Sequence, residues 1–256
     1  MKDKLKTLLW FLGKPIFYLH AADLFLRKFR KNHDSSSHVS KATDWAVNQT
    51  LSLEKALLKI GLIEDGIDIP QIDPALIHEA NALATQSKVE MGGAGDIHLI
   101  YAATVLSKAK FAIETGVAYG WSSLALLAGL DNDSSSILVS TDMPYPKLNN
   151  EDYVGIVVPE SLQKKWYLIR QPDRKGILKA IKKINHSVDI CHYDSDKSYY
   201  GRVYGYPILW RSLKSGGIFI SDDIQDNLAF KEFVESNNLN FAVTEYKGKY
   251  IGITKK

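Results

Sequence analysis

Beyond residue 108 the chain alternates between short apolar runs and segments whose apolar positions recur at helical spacing. The runs are 111–115, 137–141, 166–169, 188–193 and 217–221, and the helical segments are 122–130, 176–184, 203–213 and 228–236. Brief apolar runs bounded by turn residues predict buried strands, and strands alternating with helices predict a parallel sheet covered on both faces. Two further runs, 241–246 and 250–254, are separated only by Lys247, Gly248 and Lys249. So short a connection demands an antiparallel hairpin. The expected fold is therefore α/β: a doubly wound, mostly parallel sheet of seven strands closed by a C-terminal antiparallel hairpin, with an N-terminal helical extension.

The first 108 residues read as helical. Apolar positions between Trp45 and Ile60 recur mostly at helical spacing, Pro74 can open a helix covering 76–84, and a third helix is expected over 97–107. The polar, serine-rich stretch 32–41 reads as a linker, and Met91-Gly92-Gly93-Ala94-Gly95 as a flexible break. This divides the chain into a basic amphipathic segment with its linker (1–40), a helical accessory region (41–108) and the α/β core (109–256).

Composition narrows the possibilities. At 256 residues and 28.7 kDa, with 45% apolar and 24% charged residues, the chain is ordinary globular protein. One cysteine, Cys191, excludes an internal disulfide framework and a cysteine-based zinc cage, and fits a reducing compartment. A net charge of +3 is too small for a general nucleic-acid binder. The charge is unevenly spread: residues 1–31 hold eight basic and two acidic residues, a surplus of six that leaves the rest at −3. The same segment is rich in Leu, Phe and Trp, but Gly13-Lys14-Pro15 and Asp23 interrupt it well short of the ~20 apolar residues that span a bilayer. Two readings stand open, a helix lying on an anionic membrane or a helix packing on the body of the protein. The corresponding location is cytoplasmic, or peripheral at the inner face of a membrane.

In an open α/β sheet, ligands bind beyond the carboxyl ends of the strands. After the first strand stands Glu114-Thr115-Gly116-Val-Ala-Tyr119-Gly120-Trp-Ser122-Ser123. Its glycines allow a tight turn under a ligand and the next helix offers its amides, while the acid two residues before the first glycine suits a cationic ligand better than a pyrophosphate. Asp142, ending the second strand, is placed to accept from both hydroxyls of a ribose. Asp194 ends the fourth strand and Asp222-Asp223 the fifth, on one edge of the sheet. Carboxylates converging there repel unless a cation lies between them, and all-oxygen ligation suits Mg²⁺, Ca²⁺ or Mn²⁺. Asp226 reads as a helix-capping acid and His192 as a packed core histidine.

These residues resemble the class I S-adenosylmethionine-dependent methyltransferases over roughly the last 165 residues. The resemblance implies a Rossmann-like core, with E-T-G-V-A-Y-G-W-S-S as the loop under the methionine moiety, Ala118 replacing a frequent glycine, and Asp142 holding the ribose. Gln171-Pro172-Asp173 falls where the adenine is contacted. D-S-D-K-S-Y-Y and G-G-I-F-I-S-D-D are similar to the cation-dependent O-methyltransferases, and the overall texture resembles the methyltransferase 24 family. The implied cofactor residues are Met91, Gly92, Glu114, Thr115, Gly116, Tyr119, Gly120, Ser122, Asp142, Met143, Asp173 and Asp194. The implied metal ligands, for Mg²⁺ or another divalent cation, are Asp194, Asp222 and Asp223, with Asp223 standing where those enzymes carry asparagine. Lys197 and Asp194 are the implied catalytic residues, Lys197 as a base if metal and burial depress its pKa.

The resulting expectation is O-methylation of a small hydroxylated metabolite or sugar, with divalent-metal assistance. The long segment 143–165, rich in proline and asparagine, is expected to close over the cofactor with 91–95 and the N-terminal helices. Tyr145, Tyr153, Tyr199 and Trp121 are candidate pocket walls. Three alternatives compete with this expectation. Against a nucleic-acid methyltransferase, the Asn/Asp-Pro-Pro-aromatic motif of the amino-directed DNA enzymes is absent after the fourth strand, whereas an N-directed methyltransferase stays open because its donor site would look the same. A nicotinamide-dependent oxidoreductase is disfavoured by the G-x-x-x-G spacing and Glu114. A non-catalytic, membrane-docked nucleoside-binding module would make the N-terminal helix the point. The expected partner is a small-molecule acceptor, not nucleic acid, with room for a homo-oligomer and for membrane contact through residues 1–31.

Overall fold

The computed structural model describes residue 7 and residues 9–130, 132–145 and 150–256. Helices α1 (Tyr18–Arg27), α2 (Ser36–Gln49), α3 (Leu53–Lys59), α4 (Pro74–Ala84) and α5 (Ile97–Leu106) precede the first strand. Then follow β1 (Phe111–Thr115), α6 (Trp121–Gly129), β2 (Ile137–Thr141), α7 (Glu160–Gln163), β3 (Trp166–Ile169), α8 (Asp173–Ile184) and β4 (Val188–Tyr193). The chain closes with α9 (Tyr199–Ser212), β5 (Leu213–Ser221), α10 (Ala229–Ser236), β6 (Phe241–Tyr246) and β7 (Lys249–Lys255).

The seven strands form one sheet in the order β3-β2-β1-β4-β5-β7-β6. β1 to β5 are parallel, and β7 runs antiparallel between β5 and β6. Successive residues alternate between two cores, as the period of a strand requires. Ala112, Leu138, Ile190, Ile218 and Ile220 face one core with α3, α4, α5 and α6. Ile113, Val139, Cys191 and Phe219 face the other with α8, α9 and α10. The doubly wound sheet with its closing hairpin is the expected one. β1 and β4 share a register clamp at their starts, where the Asp189 carboxylate accepts from the backbone N–H groups of Lys110 and Phe111, both at 2.8 Å.

Where the structure departs from expectation, a specific contact accounts for it. The single helix expected over 45–60 is two helices, because Thr50 bridges to Val243 and the Leu51 N–H donates to the Val243 carbonyl at 2.8 Å. Ser52 then caps α3 by accepting from the Lys55 N–H. The polar stretch 32–41 is not simply a linker: α2 starts at Ser36, crosses residue 40, and rests on the core through the small residues Ala42 and Ala46. α8 and α9 begin earlier than their apolar spacing predicts, since Pro172 and Ser198 stand at their N-caps. The segment 143–165 carries only a 3-10 turn at Glu151–Tyr153 and the short α7, and its residues 146–149 lie outside the described residues.

Candidate active site

At the carboxyl edge of the sheet lies a cavity of about 400 Å³. One wall is the β1–α6 loop, Gly116, Val117 and Ala118, with Asp142 to Tyr145 after β2. The opposite wall is Asp194, Ser195, Asp196 and Lys197 after β4, and Pro172 with Asp173 and Arg174 closes the floor at the start of α8. Thr7, Phe11, His20, Leu24 and Arg27 from the N-terminal helices cover it, with Met91 beside them.

The loop conformation explains why glycine stands where it does. Gly116 has φ +83°, and a Cβ there would lie 2.1 Å from the Asp194 carbonyl oxygen, so only glycine lets β1 and β4 approach. Ala118 also adopts a left-handed conformation, φ 47°, at a strain of about 1–2 kcal/mol for a residue with a side chain. The Asp142 carboxylate steadies this loop by accepting from the Val117 N–H at 3.1 Å. Its other oxygen pairs with Arg170, whose guanidinium also reaches Glu151 at 2.9 Å. Burial raises the Asp142 pKa, against the pull of Arg170.

Of the expected cofactor residues, Met91, Gly116, Asp142, Met143, Asp173 and Asp194 line the cavity. Thr115 sits beneath it, its Oγ1 2.9 Å from the Ser195 hydroxyl, which donates to Asp173 at 2.6 Å. Tyr119 donates to the Val89 carbonyl at 2.5 Å and ties the loop to the segment carrying Met91 and Gly92. Gly120 caps α6 in a left-handed conformation, and Ser122 follows on that helix. Gly92, Tyr119, Gly120 and Ser122 are not on the cavity wall. Glu114 is not either: it is fully buried and accepts from Ser123 and Ser140, both at 2.6 Å. The acid expected to meet a cationic ligand instead braces the loop from below. Tyr145 lines the cavity, whereas Tyr153 does not, Trp121 is buried in the core, and Tyr199 stacks on His33 at 4.0 Å.

The carboxylate edge finds its cations within the chain. Lys197 pairs with Asp223, and its Nζ lies 3.1 Å from Asp194 Oδ1, ion-pair range without hydrogen-bond alignment. Lys249 adds a second cation 3.4 Å from Asp223. His192, fully buried in β4, stands between Glu114 Oε1 (3.8 Å) and Asp222 Oδ1 (3.3 Å). Burial depresses its pKa, but the Asp222 and Glu114 carboxylates more than reverse this and raise it overall. Burial likewise opposes the charge on Lys197, yet Asp194 and Asp223 raise its pKa overall. The shift runs opposite to the one a lysine base needs. Asp194 is pushed up, first by burial and then by the Asp222 charge. Asp223 remains below the usual carboxylate range; burial raises it, but the hydrogen bond and charge of Lys197 prevail.

The expected metal ligands do not fit a divalent ion in this arrangement. Among the described residues no three His, Cys, Asp or Glu side chains are grouped to hold one. Asp194 and Asp223 already share the Lys197 ammonium, and Asp222 faces His192. The mutual repulsion that argued for a metal is relieved by a lysine and a histidine.

The chain's own sequence hid several of these partners. Arg170 follows β3 on the ligand edge and was legible in principle. Arg202, fully buried, donates to the carbonyls of Asp222 (3.2 Å) and Asp223 (2.8 Å) and fixes that turn, with no sequence signal beyond an arginine in a helix. Asp196 accepts not from Lys197 but from Arg27, 169 residues away, at 2.6 Å.

Residues 113–224, from inside β1 to just past β5, match the model of the methyltransferase 24 family, described as a methyltransferase domain. Over these residues the chain is similar to a methyltransferase domain. No curated protein sequence matches it. Among solved structures, an O-methyltransferase from Bacillus cereus in complex with SAH is 15% identical and covers 80% of this chain and all of its own (100%), with a TM-score of 0.55. The O-methyltransferase TomG from Streptomyces achromogenes, involved in tomaymycin synthesis and solved with SAM, is 12% identical; 81% of this chain and 100% of that one align, TM-score 0.53. A methyltransferase from Geobacter sulfurreducens is also 12% identical, covering 76% and 100%, TM-score 0.54. At these identities the structural likeness speaks for the fold, and the matched residues 113–224 span the strands whose ends form the cavity.

Proposed function

We propose that the chain transfers a methyl group from S-adenosylmethionine to a hydroxyl group of a small polar acceptor. The observation that carries this reading is the single cavity that joins the glycine loop and Asp142 on one wall to Asp194 and Lys197 on the other. The two solved relatives with SAH or SAM support the donor.

The residues present fit that donor. The Asp142 carboxylate, bonded to Val117 and Arg170, retains lone pairs for ribose hydroxyls. The turn at Gly116 and Ala118 lays open backbone under a ligand, and the Asp173 and Ser195 pair offers polar contacts at the adenine end. When bound, S-adenosylmethionine supplies a methyl group already activated on a sulfonium. The chain must then align the acceptor and take its hydroxyl proton. Asp194 is the base in this reading, because its raised pKa brings a carboxylate on the cavity wall nearer to the working pH. Lys197, held as an ammonium, orients the acceptor oxygen and stabilises the charge that develops on it. No divalent ion enters this scheme.

Calorimetric titration of S-adenosylhomocysteine, once with EDTA and once with millimolar Mg²⁺, tests it. Micromolar binding in both buffers is the expected result. Absence of binding in both sinks the donor assignment, and binding only with Mg²⁺ sinks the lysine-for-metal reading.

A further inference from the structure

The N-terminal helices that cover the cavity are amphipathic in the reverse sense to an ordinary surface helix. Such a helix turns its apolar stripe to the core and its charges to water. In α1 the charges point inward. Asp23 accepts from Arg27 at 2.6 Å and from Arg174 at 3.0 Å, and Arg27 also binds Asp196 and Ser198 at 2.6 and 2.7 Å. His20, Leu24 and Arg27 face the cavity.

The opposite side is apolar and in water. At ~100° per residue, Tyr18, Phe25, Leu26, Leu19 and Phe29 (one turn on) fall in one stripe about 120° wide. Leu19 is 71% exposed, Phe25 57% and Phe29 75%. Leu9, Leu12 and Ile16 extend the exposed apolar surface toward the N-terminus. A contiguous apolar face of this kind marks an interaction surface. Exposed Lys14, Lys28, Arg30 and Lys31 rim it, within a segment carrying a surplus of six positive charges.

We infer that this face docks on an anionic lipid bilayer, holding the cover of the cavity at the membrane surface. Charge complementarity selects the occupant. A second copy meeting the same face would bring two strongly basic segments together, since a twofold contact joins a patch to itself. Negative headgroups take both the basic rim and the apolar stripe. Among the described residues no helix is long and apolar enough to cross a membrane, which agrees with a helix lying in the interface.

The test is co-sedimentation of the full chain with vesicles of phosphatidylglycerol and phosphatidylcholine, and with phosphatidylcholine alone. Binding to the anionic vesicles is expected, with at least a tenfold loss on the pure phosphatidylcholine. Leu19→Glu with Phe25→Glu, and separately Lys28→Glu with Lys31→Glu, should each weaken anionic binding at least tenfold. Both double variants should bind S-adenosylhomocysteine as the parent does, so a failed donor assignment or a failed fold is told apart from failed docking. Absent binding to anionic vesicles, or binding that both variants retain, overturns the inference. A dimer that Leu19→Glu with Phe25→Glu dissociates, without vesicle binding, overturns it in favour of a second copy.

Discussion

Lys197, on the loop after β4, forms an ion pair with Asp223 at the end of β5, 26 residues further along the chain. Asp223 makes the contact from a left-handed backbone, φ 51°, a conformation that aspartate and asparagine tolerate better than most residues. Replacing the lysine takes away the ammonium that Asp194 and Asp223 share, with Lys249 still beside Asp223. Lys197→Met should lower stability at pH 8 by about 1–2 kcal/mol, the partial exposure of Lys197 keeping the loss moderate. The loss should shrink as Asp194 protonates on acidification. Denaturant melts at pH 8 and pH 5 measure the share carried by Asp194, which protonates near pH 6 while Asp223 stays charged, and equal losses at both would show that Lys197 gains nothing from Asp194.

Asp142 holds both the Val117 amide and Arg170 while facing the cavity. Asp142→Ala should weaken S-adenosylhomocysteine binding by about 1–3 kcal/mol, or roughly 5- to 150-fold. Isothermal calorimetry gives the number, and an unchanged affinity would remove Asp142 from the donor site.

Ala118 occupies a left-handed position that glycine fills without strain. Relief of about 1–2 kcal/mol exceeds the ~0.4–1 kcal/mol by which glycine loosens the unfolded chain. Ala118→Gly should therefore stabilise the protein by about 0.5–1 kcal/mol. A melting temperature that falls would mean that the alanine methyl makes compensating contacts.

Asp173 provides a pH signature. Burial, partly offset by the Ser195 hydroxyl, raises its pKa from 3.8 to about 6. A carboxyl group raised on folding favours the folded state at low pH, an advantage fully present below about 3.8 and lost as pH rises through about 6. Asp173→Asn should thus gain about 1–3 kcal/mol at pH 7 and flatten the stability profile between pH 4 and 7. A profile that keeps its slope in the variant would assign the titration to another group.

Strands were the most legible part of this chain, and the reason is local. β1, β2, β3, β4 and β6 are apolar runs cut off by polar or turn residues, so their limits are written into a few neighbouring positions. The break at Thr50 was not legible, because the group that interrupts the helix is the Val243 carbonyl, remote in sequence. The same distinction divides the site. Gly116, Asp142 and Asp194 follow from standing at strand ends on one edge of a parallel sheet. That Glu114 would turn inward to Ser123 and Ser140, or that Lys197 rather than a metal would sit among the aspartates, depends on side-chain directions and cross-strand register. Arg27 reaching Asp196 depends on a helix folding over the cavity, which no periodicity encodes.

The position of β7 between β5 and β6 has a consequence for the order of assembly. The ribosome delivers β6 before β7, yet β6 touches the rest of the sheet only through β7. During synthesis β6 therefore has no strand of the sheet to pair with, only the bridge from Val243 to Thr50 and Leu51, and the edge of β5 stays open until β7 emerges. Unpaired edges are where nascent chains associate wrongly. Variants that delay the turn at Lys247 and Gly248 should lengthen that vulnerable interval and lower the yield of soluble protein, even where the finished fold is equally stable.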